Sequence, residues 1–283
     1  MMIAANMILT SLQNPRIKQI VKWRDRRDRD KDQVVLIEGY RALTRALAAG
    51  FPINEVYFCP ELYQGSNEGK LLAALERQGA RLTQVVPDAF VKITYRDRPE
   101  GLLGIGPQRH LKLEQLPETA NPAFYLVAEQ IEKPGNLGTM LRSCDAAGTD
   151  ALILCDKRTD LWNPNVVRAS TGVLFSMPIP EASSQETFDW LKKRGIAIVA
   201  ATPHTEKMYT DVDLTQPVAI AVGAEEFGLS PLWMDNADIK VRLPMMGAAD
   251  SLNVATATTI LLYEVLRQRL AKGMLSLPSP PEE

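Results

Sequence analysis

The chain has 283 residues, 46% of them apolar and 23% charged, with a net charge of −2. That is the composition of a folded globular protein with room for one large or two ordinary domains, and a surface that is basic throughout is excluded. Three widely spaced cysteines, Cys59, Cys144 and Cys155, show no C-x-x-C pairing and suggest neither a disulfide framework nor a zinc site.

The opening "MMIAANMILTSLQNPR" carries no basic segment ahead of an apolar stretch, and no apolar run approaches the roughly 18 residues of a membrane span. A cytoplasmic protein is expected. Asn14-Pro15 reads as a helix cap and first helical position, with Ile17, Ile20 and Val21 on one face. Residues 16–31, "RIKQIVKWRDRRDRDK", then concentrate eight basic side chains against Asp25, Asp28 and Asp30. The run suits either a solvated helix with Arg–Asp pairs or an electrostatic footprint for nucleic-acid phosphates. Strands at "QVVLIEG", "INEVYFCP", "RLTQVVP" and "GLLGIG" alternate with helices at "YRALTRALAAG" and "GKLLAALERQG", which describes a small α/β unit over residues 1–106.

Residues 107–121 are polar, hold two prolines and show no period, so a linker is predicted there. A second α/β alternation occupies 122–272. Its strands are expected at "AFYLVAEQ", "ALILCD", "AIVAAT", "PVAIAVGAE" and "DIKVRLP", with helices near 137–147, 164–170, 185–194 and 251–271. Apolar runs without period-2 alternation suit a parallel sheet covered on both faces. The tail, 273–283, is Pro-rich and acidic and is expected to be disordered.

Three segments of this second part combine irregular backbone with polar side chains. In "EKPGNLGTMLRSCDAAG" the loop suggests Asn136 as a helix N-cap, with Arg142 on the face shared by Thr139 and Asp145. "VGAEEFGLS" runs from a buried strand into Gly223, Glu225, Glu226 and Gly228. "LPMMGAADSLNVATATT" meets a long helix at Ser251, with Asn253 in its first turn. Each follows a predicted strand, and ligands bind at the carboxyl ends of parallel strands, so the three are expected to converge on one site. No dinucleotide fingerprint or Walker loop is present, and only His110 and His204 exist, so chemistry must rest on Asn, Arg, Glu and Ser.

In order and spacing these segments resemble the three motifs of the SpoU (TrmH-like) RNA 2′-O-ribose methyltransferases of the SPOUT superfamily, over about residues 122–270. The N-terminal unit, with "SLQNPRIKQIVKW" and "LIEGYRALTRAL", is similar to the ribosomal-protein-like substrate-binding domain that precedes many of these enzymes. The resemblance implies S-adenosylmethionine as cofactor, a trefoil knot in the C-terminal parallel-sheet domain, and a homodimer. The knot comes from the resemblance alone, since general fold rules disfavour it. Carried onto this chain, the motifs make Asn136, Arg142, Glu225, Ser251 and Asn253 the catalytic set. Thr202, Gly223, Leu243 and Leu252 become the cofactor pocket. Arg16, Lys18 and Lys22, with Arg41 and Arg168, are the candidate RNA contacts. "EKPGN" departs from the Asp-Pro pair that many relatives carry before the Asn.

The implied activity is methylation of a ribose 2′-hydroxyl in structured RNA. The N-terminal domain points to large-subunit ribosomal RNA; the alternatives are a transfer-RNA 2′-O-methyltransferase and a non-catalytic RNA-binding or ribosome-assembly protein. Family proposals make Arg142 the general base. A guanidinium with pKa above about 12 suits an electrostatic role at the developing alkoxide equally well, and both roles stay open at this point.

Overall fold

The computed structural model describes residues 8–119 and 122–277. The chain divides into two compact units: Met1–Arg109 with Asp160–Ser176, and His110–Thr159 with Met177–Glu283.

The first unit opens with β1 (Ile8–Leu9) and α1 (Pro15–Lys22), whose N-cap Asn14 accepts from Arg16 N at 2.8 Å. The basic run does not continue as one helix. Asp25 caps a separate α2 (Arg26–Asp32), and Gln33 ends it in the left-handed conformation. There follow β2 (Val34–Glu38), α3 (Tyr40–Ala48), β3 (Glu55–Phe58), α4 (Glu68–Arg77), β4 (Arg81–Val85), α5 (Pro87–Ile93) and β5 (Leu102–Pro107). The sheet order is β1-β4-β3-β5-β2, with β1, β4 and β3 parallel and β5 antiparallel to both its neighbours. Ile17 and Ile20 of α1 bury against Tyr57, Phe90, Ile93 and Leu103.

The second unit starts inside the predicted linker. Leu113 and Leu116 are core residues and Leu111 bridges to Pro180, so this segment is packed chain; its leucines, spaced by polar residues, gave no regular period to read. Then come β6 (Phe124–Glu129), α6 (Pro134–Ala147) and β7 (Ala151–Cys155). The chain crosses to the first unit for Asp160–Ser176, which carries α7 (Pro164–Ala169), and returns for β8 (Glu181–Ala182), α8 (Ser184–Lys193), β9 (Ala197–Ala201), β10 (Val218–Val222), α9 (Pro231–Asn236), β11 (Ile239–Val241) and α10 (Val254–Ala271). All six strands are parallel in the order β11-β9-β10-β6-β7-β8, as continuous apolar runs predict. Trp190, Leu191 and Trp233 cover one face, while α6 and α10 pack on each other on the opposite side.

The excursion at 160–176 is anchored in the first unit by specific contacts. The Arg29 guanidinium, 1% exposed, pairs with Asp160. Phe51 packs against Phe175 with ring centroids 4.7 Å apart and planes tilted by 53°, and Arg45 Nη1 donates to the Thr171 carbonyl at 2.9 Å. Gly172 has φ +90° and lies so close to α3 that a Cβ would stand 2.9 Å from Ala42 Cα, so only glycine fits. The expected disordered tail falls largely on 278–283, outside the described residues.

Candidate active site

The strands β9, β10, β6 and β11 end on the same side, and the loops that leave β9, β10 and β11 enclose a cavity of about 540 Å³. Its walls come from Thr202 to His204, Val222 to Leu229, Leu243, Met245 and the segment Asp250 to Val254. Thr202, Gly223, Leu243 and Leu252, the four residues assigned to the cofactor, all line it, together with Glu225, Ser251 and Asn253. The lining mixes apolar side chains with backbone that is not engaged in strand pairing, the ordinary make-up of a small-molecule pocket.

Gly223 is required by the turn of the chain itself. The chain doubles back after β10, with Ala224 bridged to Gly228, and a Cβ at Gly223 would lie 2.1 Å from the Gly228 carbonyl carbon. The glycine therefore permits the tight loop that presents Glu225.

Glu225 joins the three segments. Its carboxylate accepts from Asn136 Nδ2 at 2.6 Å, from Glu132 N at 3.2 Å and from Lys133 N at 3.4 Å. Asn136 Oδ1 in turn accepts from Asn253 Nδ2 at 3.1 Å, and Asn253 Oδ1 accepts from Ala255 N and Thr256 N at 3.0 and 3.3 Å. Each amide orientation is fixed by its neighbour: since Glu225 can only accept, Asn136 must turn its nitrogen there and its oxygen to Asn253. Partial burial opposes the charge of Glu225, but the Asn136 amide and the backbone N–H groups outweigh it and hold the carboxyl below its ordinary value. The carboxylate also sits at the positive end of α6, whose N-cap, Lys133, makes no side-chain capping bond.

Two cap assignments are thereby corrected. Helix α6 begins at Pro134, so Asn136 lies in its first turn and its side chain serves Glu225. Asn253, not Ser251, caps α10; Ser251 is exposed on the cavity wall and its side chain makes no hydrogen bond among the described residues. Arg142 is exposed on the outer face of α6 with Thr139 and Asp145, and its guanidinium has no partner among the described residues. It does not line the cavity. The structure thus brings together Asn136, Glu225, Ser251 and Asn253 and leaves Arg142 outside the pocket wall.

Sequence reasoning missed Glu129, a 1% exposed carboxylate at the end of β6. It accepts from Ser184 Oγ at 2.8 Å and from Ser230 N at 2.7 Å, so it fixes the far end of the Gly223–Ser230 loop. An acid closing an otherwise apolar strand was the available signal.

The candidate RNA contacts of the first unit fare unequally. Arg16 is committed within the fold: its guanidinium reaches Tyr57 Oη at 2.9 Å, Gln19 Oε1 at 2.7 Å and Glu55 Oε1 at 2.5 Å. Burial disfavours its charge, but Glu55 and Tyr57 more than offset that and raise its pKa. Arg24 and Arg29 are likewise bonded to backbone carbonyls, so much of the basic run holds the fold. Lys18, Lys22, Arg41 and Arg168 are exposed.

The comparisons with known proteins agree with this geometry. Residues 123–263 match the SpoU rRNA Methylase family, and residues 14–104 match the MRM3-like substrate binding domain. A 23S rRNA (uridine(2479)-2'-O)-methyltransferase of Streptomyces viridochromogenes is 30% identical over 90% of this chain and 90% of its own. A 23S rRNA (guanosine(2553)-2'-O)-methyltransferase of Bacillus subtilis is 28% identical over 91% and 98%. Among solved structures, an RNA 2'-O ribose methyltransferase is 42% identical with a TM-score of 0.83, covering 93% of this chain and 100% of its own. An AdoMet-bound rRNA methyltransferase from Sinorhizobium meliloti is 31% identical with a TM-score of 0.84, over 95% and 98%. With three motif segments meeting at one cavity and relatives matching over nearly their full length, the chain belongs to the SpoU rRNA methylase family.

Proposed function

We propose that this protein methylates a ribose 2′-hydroxyl of large-subunit ribosomal RNA, with S-adenosylmethionine as methyl donor. The observation that carries the reading is the hydrogen-bonded chain Glu225–Asn136–Asn253 on the rim of the cavity, which ties the three motif loops into one constellation. The residues present fit the donor. The cavity volume lies within the roughly 300–1,000 Å³ of ordinary ligand sites. Val222, Leu243 and Leu252 offer apolar contact, and the loops offer backbone groups for an adenine edge. When bound, the donor supplies an electrophilic methyl group on a sulfonium.

The chain's own residues align and polarise. Asn253 caps α10 and fixes Asn136; Glu225 fixes Asn136 from the other side, and Ser251 lines the cavity with a hydroxyl that has no partner among the described residues. In this reading Arg142, exposed on α6 with no partner among the described residues, takes the RNA phosphate, and its positive charge favours the alkoxide that forms as the 2′-hydroxyl loses its proton.

Relatives that match the whole length are named for 23S rRNA, which supports ribosomal over transfer RNA; one is named for a uridine and another for a guanosine, so the base does not carry over. A homodimer is supported by α10, where Tyr263 is 46% exposed beside half-buried Ile260 and Leu266. A trefoil knot fits the return of the chain from edge strand β11 to α10, which packs on β10 and α6. No described helix is long and apolar enough to cross a membrane, and we place the protein in the cytoplasm, where ribosomal RNA is modified. Calorimetry with S-adenosylmethionine and mapping of 2′-O-methyl positions in rRNA from a deletion strain test the reading; no heat of binding and an unchanged map would refute it.

A further inference from the structure

The first unit has a face that the basic run of 16–31 does not include. The guanidiniums of Arg41, Arg98 and Arg168 are exposed and have no partner among the described residues, whereas those of Arg16, Arg24, Arg29, Arg45 and Arg96 are bonded. Tyr95, 44% exposed, stands three residues before Arg98 on the loop that follows α5. Tyr95, Arg96 and Arg168 share the lining of one shallow depression, floored by Glu38 and Val167, whose volume of about 10 Å³ is too small for any small molecule. The face can only meet something laid across it.

Its groups are held ready. The buried Glu38 carboxylate, at the end of β2, accepts from Tyr95 N at 2.9 Å and Arg96 N at 3.3 Å, and Arg96 pairs with Glu100. Asn165 Nδ2 donates to Tyr95 Oη at 3.3 Å, which fixes the ring from the other side. Glu100 also accepts from Tyr40 N at 3.3 Å, which places the start of α3, and with it Arg41, beside the loop. Asp97 is the one exposed acid on the loop, and Glu100 is already committed. An ordered aromatic ring that shares a depression with the Arg168 guanidinium, on a loop that also carries Arg98, suits an unstacked base with its neighbouring phosphates, and an acidic peptide would not use the ring.

We propose that the face formed by Tyr95, Arg98 and Arg168, with Arg41 at its margin, binds a single-stranded stretch of the RNA substrate, with a base stacked on Tyr95. The proposal rests on the RNA-methylation reading and extends it. Asn165 and Arg168 come from Asp160–Ser176, inside the part of the chain that matches the methylase family, so residues 14–104 alone do not make this face.

The test is titration of the full-length protein with a 23S rRNA transcript at several salt concentrations. Tyr95→Ala should weaken binding by roughly 5- to 100-fold, the range of lost base stacking, while Tyr95→Phe should keep most of it. Arg98→Gln and Arg168→Gln should each reduce the salt slope by about 0.7. Melting temperature and S-adenosylmethionine affinity should stay at wild-type values in all four variants. Wild-type affinity and slope in these variants, with RNA bound normally, would overturn the face alone and return it to solvent or to a protein partner. Loss confined to a Lys18→Gln/Lys22→Gln variant would move the contact to α1. No RNA binding by the wild-type protein would overturn both this inference and the methylation reading.

Discussion

Glu225 and Arg142 do opposite things with charge, and their variants should separate accordingly. Because hydrogen bonds depress the pKa of Glu225 in the folded protein, its stabilisation is fully present above the ordinary carboxylate value of 4.5 and is lost as pH falls through the lower folded value. Thermal melts of wild type and Glu225→Gln should therefore differ by a constant amount from pH 5.5 upward, to be checked at half-unit steps, and draw together as pH falls below 4.5. A difference that grows on acidification would contradict the assignment. Asn136→Asp sets a second carboxylate where Nδ2 now donates at 2.6 Å, so one of the pair should take up a proton near neutrality. Its methyl transfer should be depressed at pH 8 and recover in part toward pH 6, in a pH–rate profile. None of this linkage is visible in sequence: Asn136 looks like a cap because it follows Pro-Gly, and its real acceptor lies 89 positions away.

At the scale of elements, the charged run shows how much composition conceals. The spacing of residues 16–31 fits a solvated helix, yet the chain breaks it at Asp25 and sinks Arg29 to 1% exposure against Asp160, 131 positions on. Arg29→Ala would leave a carboxylate that is 8% exposed without its partner, and a stability loss of roughly 3–5 kcal/mol is expected in urea unfolding. A loss under about 1 kcal/mol would mean that the pair is dispensable. Five of the six parallel strands, by contrast, were legible, since a strand buried on both faces needs an unbroken apolar run and β6, β7 and β10 each have one; the two-residue β8 has none and was not read. The loops that line the cavity were legible for a related reason: Gly223, Ser251 and Asn253 are out of place in a buried strand or helix interior, so their presence in the loops that follow strands marks irregular chain. That Gly223 makes way for Gly228 was not legible, because it depends on how the loop closes.

For the whole molecule, the division of labour does not follow the order of the chain. Asp160–Ser176 belongs to the first unit, where Phe51 covers Trp162 and Phe175. Deleting residues 1–109 should therefore uncover these rings and give a protein that binds hydrophobic dye and aggregates, seen by fluorescence and light scattering. A truncated protein as soluble as the full chain would show that the excursion stands alone. The proposed dimer belongs to this scale as well. Tyr263→Asp on the exposed side of α10 should shift sedimentation from dimer to monomer, and an unchanged profile would place the interface elsewhere.

In the proposed function one cavity holds the methyl donor while Arg142, outside its wall, acts on the RNA. The direct measurement pairs calorimetry of S-adenosylmethionine binding with transfer of its labelled methyl group to 23S rRNA, in wild type and Arg142→Ala. Wild type should methylate the ribose of a single nucleotide. Arg142→Ala should bind the donor within a few-fold of wild type and transfer its methyl group more slowly by about 10²–10³. Label on a base, no label with wild type, or equal loss of donor binding and transfer in the variant would contradict the proposed function.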